Sequence, residues 1–198
     1  NNMDLIKSKT FQNLVNSFAG ECQAHMRYKY LAYGAKDRSL FMVERQIQEL
    51  SKNEMHHARM FYTFIQSADT QTLDNLQVSS GYPFKEKWDF VKNFEFAAEN
   101  EHDEHTVIYP QFAQTAREEG FEAIACLYDL IAAVESCHDK ILTELHRRIG
   151  SDTLYTSDTP VKWKCSVCGH EATLNQAWDM CPLCKSPQGY VELNLTGK

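Results

Sequence analysis

The chain has 198 residues, 43% hydrophobic and 24% charged, with a net charge of -7 at pH 7. That balance suits a globular protein with one good-sized core and a small appendage. With no basic stripe, nucleic acid and anionic membrane surfaces are excluded as partners, and no apolar run approaches the ~20 residues of a membrane span. Asn1–Thr10 carries two lysines but no apolar signal segment, so a cytoplasmic protein is expected.

Helical periodicity predicts four helices, over residues 9–36, 38–67, 85–119 and 121–148. The first two join at Asp37 and the last two at Gly120, so each pair forms an antiparallel hairpin. A long connection from Ser67 to Lys85, containing Ser79-Ser80-Gly81-Tyr82-Pro83, carries the chain from one hairpin to the other. Two hairpins with one long crossover between the second and third helices make an all-α, ferritin-like four-helix bundle, here over residues 1–150. Residues 151–160 are polar and aperiodic, as in a linker. Residues 161–198 read as short strands and turns around cysteines, too few to fold on an apolar core without a metal.

The apolar seam of each helix is interrupted by acids. The first runs Leu14, Phe18, Glu21, His25, Tyr28 and the second Ile47, Leu50, Glu54, His57, Phe61, Phe64. The third runs Phe90, Phe94, Ala97, Glu101, Glu104, Ile108, and the fourth Ile124, Tyr128, Ile131, Glu135, His138, Leu142, Leu145. One unpaired buried carboxylate costs several kcal/mol, and four helices sharing that cost point to shared cations. A Glu from each of two helices (Glu21, Glu101) and Glu-x-x-His from the other two (Glu54–His57, Glu135–His138) is a known pattern for two carboxylate-bound metals. The i,i+3 spacing sets each acid and imidazole on one face, and mixed carboxylate and imidazole donors suit iron or manganese. Glu104, one turn on, is either a fifth carboxylate ligand or a nearby base. Tyr28 and Tyr109 are either core aromatics or hydrogen-bond donors at the site. His25 and His105 are expected to support rather than ligate, and His56 and His102 to face solvent.

Seven cysteines are many for such a chain, and four of them cluster. Cys165-Ser-Val-Cys168-Gly169 and Cys181-Pro-Leu-Cys184 form two chelating knuckles whose backbone N–H groups face the sulfurs. Four thiolates mean tetrahedral zinc or iron, and the neighbouring two-metal site favours iron as an electron carrier. Cys22, Cys126 and Cys137 are expected to be buried as small apolar residues.

With both sites placed, the chain resembles the rubrerythrin family over nearly its whole length. The resemblance rests on Phe18-Ala-Gly-Glu-Cys-Gln-Ala-His-Met-Arg-Tyr28, on the Glu54–His57 and Glu135–His138 motifs, and on Glu101 through Thr106-Val-Ile-Tyr-Pro110. Ala116-Arg-Glu-Glu-Gly-Phe121 and a rubredoxin-like end closing on Ser186-Pro-Gln-Gly-Tyr190 complete it. It implies di-iron ligands at Glu21, Glu54, Glu101, Glu104, Glu135 and His138, with His57 exchanging for Glu104 as one iron shifts with redox state. The chain departs from the family pattern at His25, where arginine is commoner, and in a third helix rich in acids and histidines (Glu99, His102, Asp103).

The resemblance further implies a non-haem iron peroxidase that reduces hydrogen peroxide to water, with Glu104, His57, Tyr28 and Tyr109 at the reacting centre. A third iron, on Cys165, Cys168, Cys181 and Cys184, would refill the pair. Its electrons would come from NAD(P)H through a separate reductase or rubredoxin, since the chain holds no G-x-G-x-x-G fingerprint. A head-to-tail homodimer and a role in oxidative-stress defence are implied as well. Two other classes compete: a ferroxidase handling iron with oxygen as oxidant, and a zinc-ribbon adaptor on a helical bundle. The cysteine knuckles weigh against the first, and the acids on the seams against the second.

Overall fold

The computed structural model describes residues 4–68, 75–79 and 89–195. Helix α1 (Lys9–Asp37) starts at Ser8, whose hydroxyl accepts the Phe11 N–H at 3.0 Å. A second cap comes from far along the chain: the Glu119 carboxylate accepts the backbone N–H groups of Lys9 and Thr10, at 3.0 and 2.8 Å. Ser39, in the left-handed region at φ 57°, reverses the chain into α2 (Phe41–Gln66). Of the expected crossover, residues 69–74 and 80–88 lie outside the described residues, and with them Gly81, Pro83 and the first predicted residues of the third helix. Residues 75–79 run beside α1, where Gln12 Nε2 donates to the Gln77 carbonyl at 3.0 Å.

The third predicted helix is not continuous. It consists of α3 (Phe90–Asp103), a π turn over Glu104–Ile108 closed by the Tyr109 N–H on the Glu104 carbonyl, and α4 (Tyr109–Glu118). Pro110 accounts for the break: in an unbroken α-helix its ring would meet the carbonyl of Thr106, and it has no N–H to give. Gly120, at φ 87°, then turns the chain into α5 (Glu122–Gly150). Helix α1 packs along α2, and α3 and α4 pack along α5, giving the two expected hairpins. No helix is long and apolar enough to cross a membrane among the described residues.

The bundle core falls into two apolar clusters. One gathers Leu31, Ile47, Leu50, Phe94, Leu142 and Leu145, and the other Leu14, Phe61, Ala113, Ile124, Tyr128 and Ile131. The seam acids lie between them, sealed from water at both ends.

The expected linker over 151–160 is not free chain. Leu154 is buried in the bundle core, and strand β1 (Thr156–Lys164) begins within that stretch. Polar composition hid the strand because only Trp163 along it is buried. Strand β2 (Glu171–Gln176) pairs antiparallel with β1, Trp163 opposite Ala172, over a core of Trp163, Ala177 and Val191. This small unit rests on the α1–α2 turn. The rings of Tyr190 and Phe41 stack at 4.3 Å, and Gly189 lies so close to the Ser39 carbonyl that a Cβ would come within 1.8 Å of its oxygen.

Candidate metal centres

Glu21, Glu54, His57, Glu101, Glu135 and His138 converge between the two apolar clusters, each carboxyl fully buried. Their donor atoms form two groups, Glu21–Glu54–His57–Glu135 and Glu54–Glu101–Glu135–His138. The shared acids divide their oxygens between the groups. Glu135 sets Oε1 2.8 Å from His57 Nδ1 and Oε2 2.7 Å from His138 Nδ1, while Glu54 sets Oε1 2.8 Å from His138 Nδ1 and Oε2 3.4 Å from His57 Nδ1. Two carboxylates disposed in this way can bridge a pair of ions, with one histidine and one further acid for each. Glu21 is the further acid of the first group and Glu101 of the second.

These contacts are close without being hydrogen bonds. Both oxygens of Glu54 and of Glu135, and Nδ1 of both histidines, lack a hydrogen-bond partner although buried. Buried polar atoms in native proteins are nearly always paired, so orphans converging on common points fit metal ions. Electrostatics says the same. Burial first, then neighbouring carboxylates, push Glu21 and Glu101 well above the usual carboxylate range. Against burial, contact with Glu135, Glu21 and Glu54 pushes His57 up to about 12, and contact with Glu135 and Glu54 takes His138 to about 9. The acid layer draws whatever positive charge is near, and two divalent cations would supply it.

Tyr28 donates a short hydrogen bond to Glu101 Oε1, and Tyr109 donates one to Glu21 Oε1. Each unshared acid is thus held by a tyrosine, the polar one of the two roles open to these rings. Glu104 is buried but belongs to neither donor group; Asn100 Nδ2 donates to its Oε1 at 3.1 Å, while Oε2 has no partner. Burial and then the charges of Glu135 and Glu54 push it up to about 8, opposed by Arg27. Here, then, His57 is directed inward and Glu104 stands back. Asn100 and the buried Arg27 escaped the sequence reading, because both lie off the seam phase.

His25 belongs to neither donor group: its Nδ1 lies 2.7 Å from the Ser51 carbonyl, tying α1 to α2. The expectation that Cys22, Cys126 and Cys137 are buried is wrong, for all three are exposed. Cys22 and Cys137 stand one and two residues beyond an inward glutamate, so helical rotation carries them to the outer faces.

In the small unit, Cys165 and Cys184 lie 3.7 Å apart between sulfurs, as do Cys168 and Cys181. Four sulfurs ~2.3 Å from a central ion stand about 3.75 Å apart, so the donor set fits a tetrahedral metal. The two knuckles repeat one geometry: Gly169 N–H bonds the Cys165 carbonyl and Lys185 N–H the Cys181 carbonyl, with φ of 77° and 64°. Although burial raises it, the Cys165 thiol is brought down to about 6 by the Ser186 hydroxyl and the backbone N–H groups of Cys168 and Val167. A lowered thiol is a readier metal ligand.

Family models place these features. The rubrerythrin model matches residues 12–146 and 92–162, and the model of the rubrerythrin rubredoxin-like domain matches residues 163–192. The rubrerythrin of Clostridium perfringens is 37% identical over 186 residues, 94% of each chain, and that of Nitratidesulfovibrio vulgaris 32% identical over 186 residues, again 94% of each. Among solved structures, partially reduced nigerythrin superposes with a TM-score of 0.62 at 20% identity, covering 98% of this chain and 94% of that one. Desulfovibrio desulfuricans bacterioferritin gives 0.59 at 21% identity, over 73% and 82%. At such identities these two likenesses speak for the fold alone. The cofactors are a pair of iron ions in the carboxylate–histidine layer and one iron among four cysteines. With both family models accounting for nearly its whole length, the chain belongs to the rubrerythrin family.

Proposed function

We propose that this protein is a hydrogen peroxide reductase whose bundle carries the reaction and whose cysteine unit, residues 161–198, relays electrons to it. The observation that carries the reading is the sharing of Glu54 and Glu135 between His57 and His138, on a chain that also holds a four-sulfur site. When bound, the iron pair supplies the two electrons that reduce peroxide to water. The rest falls to the chain's own groups. Glu54 and Glu135 would hold both ions, with Glu21 and His57 completing one donor set and Glu101 and His138 the other. Tyr109 and Tyr28 fix the unshared acids by donating from Oη. Glu104 Oε2, buried and unpartnered, would hand a proton to an oxygen leaving the site. Glu104, one turn from Glu101, would be the acid available to exchange with His57, as the family resemblance implies. The two apolar clusters keep bulk water from the reacting centre.

Electrons enter from an NAD(P)H-dependent reductase or rubredoxin and cross between chains of a head-to-tail homodimer. The cysteine unit rests on the α1–α2 turn of its own chain, and Glu54 lies 13 residues into α2 from Phe41, about 20 Å along the axis. Transfer within the chain is therefore long. Exposed stripes on α1 (Met26, Tyr30, Tyr33) and α2 (Met55, Tyr62) offer apolar surface for a second copy. Mixed dimers test this: one chain carries Cys165→Ser and Cys168→Ser, the other Glu54→Ala and Glu135→Ala. Each homodimer should be inactive in NADH-coupled peroxide reduction, and the mixed dimer active. A mixed dimer that holds all its metals yet is dead would overturn transfer between chains. A wild type that consumes oxygen with added Fe(II), but not peroxide, would favour the ferroxidase reading instead.

A further inference from the structure

Outside the acid layer, the packing of α3 on α5 assembles a second cluster that the function above does not use. His102 Nδ1 lies 3.0 Å from Asp139 Oδ2, and His105 Nε2 lies 2.9 Å from the same oxygen. Thr143 Oγ1 donates to the other oxygen, Oδ1, at 3.0 Å, fixing the plane of the carboxylate. The imidazoles meet nearly edge to face, with centroids 5.3 Å apart at 82°. All three donor atoms lie within 4.8 Å of one another.

We propose that His102, His105 and Asp139 form a peripheral binding site for one divalent first-row transition ion, Fe2+ or Zn2+. Two donors ~2.1 Å from a common ion stand about 3.0 Å apart at an octahedral ion and about 3.4 Å apart at a tetrahedral one. The hydrogen-bonded spacing of both imidazole nitrogens from Asp139 Oδ2, 3.0 and 2.9 Å, therefore needs little movement to admit either. Two histidines and one carboxylate on one side of an ion leave its remaining positions open. His102 and Asp139 line a groove of about 400 Å³ together with Glu95, Glu99, Asp103 and His146, which has room for water and an acidic field that attracts cations. The Thr143 contact is the kind of outer support that orients metal-binding carboxylates. His105 sits in the π turn and Asp139 on α5, so an ion held between them clamps that turn to the bundle. The site backs directly onto the inner layer: His102 follows Glu101, His105 follows Glu104 and Asp139 follows His138.

The test is equilibrium dialysis of the iron-loaded protein against zinc chloride, counting zinc bound and iron retained. Wild type should take up one zinc per chain without losing iron. His102→Gln, exposed and remote from the core, and Asp139→Asn should each weaken that uptake at least tenfold. His56→Gln, half-exposed on another helix, should leave it unchanged. The proposal is overturned if no zinc binds beyond the iron, if zinc enters only as iron leaves, or if both variants take up zinc like the wild type.

Discussion

Tyr109, the residue that closes the π turn, donates a hydrogen bond across the bundle to Oε1 of Glu21 on α1. The other oxygen of Glu21 lies 3.7 Å from His57 Nδ1, so the tyrosine orients the acid and leaves one oxygen for an ion. Tyr109→Phe keeps the ring in its contacts with Phe61 and Tyr128 but removes this donor. Iron retention by the bundle should fall by about tenfold or more under dialysis against a chelator, with the fold intact by circular dichroism. Unchanged retention would show that the hydroxyl does not serve the metal.

Two acids of the predicted ligand set, Glu135 and Glu104, should behave differently. Glu135 faces both histidines, whereas Glu104 faces neither. Glu135→Ala should empty the bundle of iron, since the remaining acids lose a bridge and repel one another. Glu104→Ala should keep the iron and slow peroxide turnover by about 10²-fold, a usual size for loss of a positioned proton donor. Metal analysis and turnover on both variants decide it; the reverse pattern would exchange the two roles.

The acid layer was legible because helical spacing fixes which residues share a face. Although one glutamate amid Leu14, Phe18 and Tyr28 could be a solvated charge, the same interruption in all four helices could not. The cysteine knuckles were legible for a similar reason, since C-x-x-C geometry is local. What lay between helices was not. The meeting of His102 and His105 with Asp139 depends on how α3 is set along α5, which no single helix encodes. The π turn was missed because periodicity continues through it, although Pro110 marked the place. β1 was missed because it is almost wholly exposed and lacks an alternating apolar pattern.

Gly189 is required by the Ser39 backbone. A methyl group there would lie 1.8 Å from a carbonyl oxygen and 3.2 Å from the Phe41 ring, and a main-chain atom cannot rotate away. Gly189→Ala should therefore detach the cysteine unit from the bundle, costing about 1–3 kcal/mol, while the four cysteines keep their iron and its colour. Thermal denaturation should show the loss, and thermolysin should cut near Thr153–Tyr155 faster than in wild type. Equal stability and equal cleavage would refute the tight contact.

Glu119 provides a pH test remote from any metal ligand. Burial raises its carboxyl, but the hydrogen bonds from Thr10 and Lys9 together outweigh that and hold it below the ordinary 4.5. A native pKa below the unfolded one means that the ionised cap stabilises the fold above pH 4.5, and that this contribution fades as pH falls through the native pKa. Glu119→Gln should cost about 1 kcal/mol at pH 7, a typical cap value reduced by partial exposure to solvent. In urea unfolding at matched pH, the gap from wild type should close below pH 4.5. A gap that widens with acid would contradict the cap.

The central claim is that electrons pass from the four-cysteine iron, through the Glu54–Glu135 bridged pair, to peroxide. Stopped-flow mixing of the fully reduced protein with hydrogen peroxide, following the visible absorbance of the oxidised cysteine iron, tests it in a single turnover. The colour should return fast in wild type and at least a hundredfold more slowly in Glu135→Ala, whose cysteine site is untouched. Equal rates in the two proteins would mean that peroxide oxidises the cysteine iron directly, and that the buried acid layer is not where the reaction occurs.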